Sequence, residues 1–171
     1  LRAIAGFFTD YLWFDAAGAG SVWATQLKVK VGLAAGFTLA FFVLLWVNLV
    51  LVDRLAPRQR TLGPDEEFLQ RYDDLIRPRQ RMVRFAVAVL FALIAGVGAS
   101  GQWANYLLFW NGGSFGQRDP LHGQDIGFYV FRLPFLTYLV SWAFASLLIV
   151  VMVVAVSHYL AGGIRLQARV Q

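Results

Sequence analysis

The sequence predicts an all-α fold, a polytopic bundle with about three membrane-spanning helices that forms a fragment of a larger protein. Three observations carry that prediction. The 171 residues are 58% hydrophobic and only 15% charged, with a mean hydropathy of +0.58, whereas a soluble domain is about 45–50% apolar and about 25% charged. Three stretches lack formal charge for long enough to cross a hydrocarbon core of about 30 Å, which takes about 20 helical residues. Eight of the fifteen basic residues are gathered in one segment between two of those stretches. The same composition excludes a disordered chain. Without cysteine, disulfide frameworks, thiolate metal sites and cysteine nucleophiles are excluded together.

Residues 1–30 are expected to form an extracytoplasmic interfacial segment, anchored by Tyr11, Trp13 and Trp23. The chain opens on Leu1 without a signal-like charged and apolar pair of regions, so it is expected to begin inside a longer protein. Residues 31–52 carry no formal charge and form the first predicted span, with Ser21 as a candidate cap upstream. Gly32 and Gly36 form a GxxxG pair suited to helix packing.

Residues 53–84 read as an arginine-rich cytoplasmic loop containing a short helix opened by Pro64 and acids in its first turn. The loop holds eight of the fifteen basic residues, and the retained side of a membrane is the basic one. Arg77, Arg79, Arg81 and Arg84 lie just outside the next span. Anionic lipid headgroups attract such residues by about 1 kcal/mol each, so these four are the candidates for headgroup contact.

Residues 85–110 form the second predicted span and its extension. Counted from Pro78, this helix would be about 50 Å long, so it either projects from the bilayer or bends near Gly98. Ala88, Ala92, Gly96 and Ser100 recur every four residues and draw a small-residue packing stripe. Residues 111–132 read as an extracytoplasmic loop after a Gly112-Gly113 stop. Residues 133–160 form the third predicted span, with Pro134 in its first turn, and residues 161–171 a cytoplasmic tail. Trp103, Tyr106, Trp110, Tyr129, Tyr138 and Tyr159 fall near predicted interfaces.

Few motifs carry chemistry. Gly96 to Gly101 spells GxGxxG, but a dinucleotide fingerprint needs a short strand before it and a βαβ unit around it, and here the preceding run is span-length. Asp119, His122 and Asp125 are candidate metal ligands. Against that, Asp119-Pro120 opens a turn and Asp125 can cap a helix running from Ile126 to Phe131, and the turn-and-cap reading is preferred. Asn48 and His158 are polar groups near the inner ends of spans, suited to interhelical hydrogen bonds. No catalytic constellation and no cofactor fingerprint emerge. The net charge of +5 reports topology, so no nucleic-acid partner is expected.

Asp119-Pro120, the run Gln124-Asp125-Ile126-Gly127-Phe128-Tyr129-Val130-Phe131-Arg132-Leu133-Pro134-Phe135, and His158 to Arg165 resemble a family of large bacterial membrane proteins, uncharacterised protein family UPF0182. Thr9 to Phe14 resembles the segment after that family's first span. The resemblance covers essentially the whole chain and implies a multi-pass protein of the bacterial plasma (inner) membrane, with several N-terminal spans before a large extracytoplasmic region. It transfers no activity and no catalytic residue. The expected role is therefore a membrane anchor or scaffold within a larger cell-envelope protein, and the alternative is one wall of a transporter or channel pathway. The expected partners are the bilayer, its anionic headgroups and the remaining spans of the full-length protein.

Overall fold

A computed structural model describes residues 2–55 and 79–160 of the chain. The described residues are helical apart from short connections, and they contain no strand, only an isolated bridge between Arg118 and Asp125. Helix α1 runs Arg2–Ala16 and α2 Gly20–Leu55; α3 covers Gln80–Val97, α4 Trp103–Asn111 and α5 Leu133–Leu160. Three helical segments, Gly20–Leu55, Gln80–Asn111 and Phe128–Tyr159, are long and apolar enough to cross a membrane. In hydrocarbon only a helix or a closed barrel satisfies its own backbone polar groups. A chain this apolar and this helical has the length and composition of a membrane protein.

Helix α2 begins at Gly20, well before the charge-free window. Backbone hydrogen bonding does not depend on charge, so the helix continues through Lys28 and Lys30. Ser21 lies inside the helix instead of capping it, and its carbonyl accepts the Thr25 hydroxyl (2.9 Å). At 36 residues α2 measures about 54 Å.

The long helix over residues 80–111 is divided by a 3₁₀ turn at Gly98–Gln102. Gly98, Ser100 and Gly101 have weak helical preference, and the Ser100 hydroxyl donates to the Val97 carbonyl (2.7 Å), a local bond that competes with the regular ladder.

Pro134 does not stand in a first turn, because the helix has already begun at Ile126. A proline there lacks an N–H and crowds the carbonyl four residues back. The chain accommodates it with a π-helical turn at Phe128–Arg132, in which the Leu133 N–H reaches back to the Phe128 carbonyl.

The chain divides into two compact units. One comprises Leu1–Phe37 and Gly96–Tyr138. Within it α1 rests on α2 through Phe7 and Tyr11, both edge-on to Trp23, with centroids 5.3 and 5.1 Å away. The Lys30 ammonium stands 5.4 Å above the Trp103 ring, a cation–π contact. Phe135 is buried against Tyr106 and Phe109.

The other unit comprises Thr38–Ala95 and Leu139–Gln171. Its core is formed by Phe41, Leu45 and Leu49 of α2, Ala88 and Ala92 of α3, and Val150 of α5. The spacing of four on α2 and α3 puts each set on one helix face. Alanine on α3 lets the larger α2 side chains close on its backbone. Trp142 donates its indole N–H to the Ala95 carbonyl (3.1 Å), giving a polar hydrogen a partner inside an apolar core.

Candidate functional site

Among the described residues, the densest array of polar contacts lies in the connection from Gly112 to Gly127, between α4 and the helix that becomes α5. It begins where α4 stops at Asn111 and Gly112 turns extended. A Cβ on Gly112 would collide with the Phe131 side chain and the Leu108 carbonyl, and one on Gly127 would collide with the Gly113 carbonyl. Glycine is required at both positions because segments distant in sequence nearly touch. Phe115 stacks on Phe131 (5.6 Å, 12° between planes) and closes the same corner.

Asp125 ties this connection together. Its Oδ1 accepts the N–H groups of Phe115 (3.0 Å) and Gly127 (2.7 Å), and its Oδ2 accepts the Ser114 hydroxyl (2.6 Å) and the Gly116 N–H (3.0 Å). The bond to Gly127 is an N-cap on the helix starting at Ile126. Four donors fill the lone-pair positions of a carboxylate. Charge is favoured accordingly: the Ser114 hydroxyl foremost, then the Phe115 N–H, bring the Asp125 carboxyl down to about 2 from 3.8.

Asp119 folds the tip. It accepts the N–H groups of Leu121 (3.3 Å) and His122 (2.9 Å), while Tyr129 donates its hydroxyl to Oδ2 (3.0 Å). His122 Nδ1 lies 3.1 Å from the same oxygen. The Asp119 carboxyl is held below its ordinary value, chiefly by the His122 N–H. An ionised carboxylate can only accept, so the proton of that contact sits on Nδ1. Gly116 and Gly123 adopt left-handed conformations (φ 72° and 67°) that release the chain from its two turns.

These carboxylates act as fastenings. Asp119 and His122 are paired, but Asp125 has spent its acceptor sites on the loop backbone and Ser114. Among the described residues no group of three or more His, Asp or Glu side chains is placed to hold a metal. The arrangement supports a rigid loop that displays Leu121 and the His122 ring to the surroundings, both of them exposed.

A second polar contact joins α2 to α3 in the other unit. Arg84 is buried and forms an ion pair with Asp53, which Gln80 also approaches (3.5 Å). Arg79 and Arg81 are exposed, and Arg77 lies outside the described residues. Sequence reasoning had grouped Arg84 with its neighbours and missed the pair. The signal was present, because an aspartate in the last turn of a helix opposes the helix dipole and needs a cationic partner. Ala88, Ala92 and Gly96 are buried and Ser100 half-buried, whereas Gly32 and Gly36 are exposed, and a Cβ on either would meet no neighbouring element within 4 Å. Asn48 donates to the Leu44 carbonyl within its own helix (2.7 Å).

Comparison with known proteins places these features in context. The model of "Uncharacterised protein family (UPF0182)" matches residues 1–171. A UPF0182 protein of a Nocardioides species is 41% identical over 98% of this chain and 17% of its own length. Those of Salinispora tropica and Streptomyces coelicolor are 41% and 38% identical, each over 94% of this chain and 16% of their own length. The chain thus spans about one sixth of the curated relatives it matches. No solved structure matches it.

Proposed function

The chain belongs to uncharacterised protein family UPF0182, and from that premise we propose that it serves as part of the helical membrane anchor of a larger cell-envelope protein in the bacterial plasma membrane. One observation carries this reading. The contact between α2, α3 and α5 is made of Phe41, Leu45, Leu49, Ala88, Ala92 and Val150, an apolar seam with no polar stripe for a solute to follow. Polar groups inside the spans are answered within the chain, Asn48 by Leu44 and Trp142 by Ala95. The segment 53–84 and the C-terminal tail face the cytoplasm in this reading, and the Asp125-fastened loop faces outward as a rigid platform. The remaining spans and anionic headgroups complete its surroundings.

The competing role is one wall of a transport pathway. These 171 residues contain no cysteine, so a cysteine placed among them is the single thiol of this segment. Leu45→Cys, Ala92→Cys and Val150→Cys, placed one at a time, should resist a membrane-impermeant thiol reagent, while Gln59→Cys labels from the cytoplasm and Gln117→Cys from outside. Reaction at the three seam positions would replace the anchor with a hydrated pathway. Outside labelling of Gln59→Cys would invert the topology.

A further inference from the structure

Next to the core of the second unit lies an open groove of about 470 Å³. Its walls are Leu49 of α2, Val87 and Phe91 of α3, and Met152 and Val156 of α5. Its polar members are Arg84 and Ser157, at the start of α3 and near the end of α5. Apolar walls with polarity confined to one end match an amphiphile. From Ile149 to Ser157 the α5 wall rises about 12 Å, close to half of a hydrocarbon core of about 30 Å. The groove therefore has the depth of one leaflet, and its volume falls within the range of about 300–1,000 Å³ usual for ligand sites.

Charge selects the headgroup. Arg81 lies three residues before Arg84, which places the two as neighbours on α3. Arg81 and Arg79 are exposed, while Asp53 is already engaged by Arg84. The exposed guanidiniums at this end complement a phosphate in charge, and an acidic phospholipid brings one to headgroup level.

We infer that this groove is a binding site for one anionic phospholipid, with an acyl chain between α3 and α5 and the phosphate at Arg81. The inference rests on the membrane-anchor reading and adds a specific ligand to it. The test uses the full-length protein reconstituted separately in phosphatidylcholine and in an equal mixture with phosphatidylglycerol, with retained lipids identified by native mass spectrometry. Val156→Trp fills the groove from a position that is already exposed, and Val151→Trp, exposed but outside the groove, is its control.

The wild-type protein and Val151→Trp should retain phosphatidylglycerol in preference to phosphatidylcholine, and Val156→Trp should lose that preference. Arg81→Gln should weaken retention about fivefold, the equivalent of about 1 kcal/mol for one basic residue at the surface. Arg81→Lys should restore most of it. Equal retention of both lipids, or a preference untouched by Val156→Trp, overturns the site. Neither result alters the cysteine labelling of the seam, so failure here is distinguishable from failure of the anchor reading.

Discussion

Removing Asp53 should destabilise the chain more than removing Arg84, although the two form one ion pair. The asymmetry follows from burial, since the Arg84 side chain is 10% exposed and that of Asp53 42%. Asp53→Ala strands a buried guanidinium, whereas Arg84→Met leaves a carboxylate that water already reaches and keeps the packing of the long stem. Breaking a fully buried pair costs about 3–5 kcal/mol, and an exposed pair is worth about 0–1 kcal/mol. This half-exposed pair falls between, at about 2–3 kcal/mol for Asp53→Ala and about 1 kcal/mol for Arg84→Met. The double variant should resemble Arg84→Met, because neither charge is then left alone. Unfolding of the full chain in bicelles by graded dodecyl sulfate, followed by tryptophan fluorescence, measures all four corners of the cycle. The reasoning fails if the single costs are equal and add in the double variant to within about 0.5 kcal/mol, the behaviour of independent sites.

Two further outcomes concern the loop. Gly127 has ordinary helical angles (φ −58°, ψ −29°), so Gly127→Ala acts by pushing a methyl into the Gly113 carbonyl and against Asp125 Oδ1, at a cost of about 1–3 kcal/mol. Trypsin should then cut after Arg118 markedly faster than in wild type, and an unchanged rate would refute the close approach. The Asp125 carboxyl is depressed in the folded loop, so its stabilising effect is complete above the ordinary value of 3.8 and declines as the pH falls toward about 2. A bimane on Leu121→Cys should report loop opening across that acidic window, and in an Asp125→Asn background only the part due to the likewise depressed Asp119 carboxyl should remain.

Much of the architecture was legible because the bilayer imposes simple rules. A span must be nearly free of charge, and runs of 22 or more such residues are visible by counting. The ends of the helices were less legible. Lys28 and Lys30 broke the apolar window without breaking α2, and Lys30 is accommodated by the Trp103 ring, which lies 73 positions away in sequence. Pro134 looked like a helix start because position statistics favour it there, yet a π turn allows the helix to pass through it. In the loop, Asp119-Pro120 and the Asp125 cap could be read locally. The bonds from Ser114, Phe115 and Gly116 to Asp125 could not, since they join residues nine to eleven positions apart.

The sequence by itself determined the solvent and the helices, because hydrophobicity and charge act residue by residue along the chain. It also determined the family, through motifs that survive in order. The tertiary structure decided which small residues are used: Ala88 and Ala92 are buried against α2, while Gly32 and Gly36 remain on an open face. It likewise decided that Arg84 turns inward to Asp53 while Arg81 stays outside. Both choices depend on which side of a helix meets a neighbour, and composition carries no information about a neighbour's position. The physical cause is the same in each case, since a close-packed interface rewards small volume and paired charge only where two surfaces actually meet.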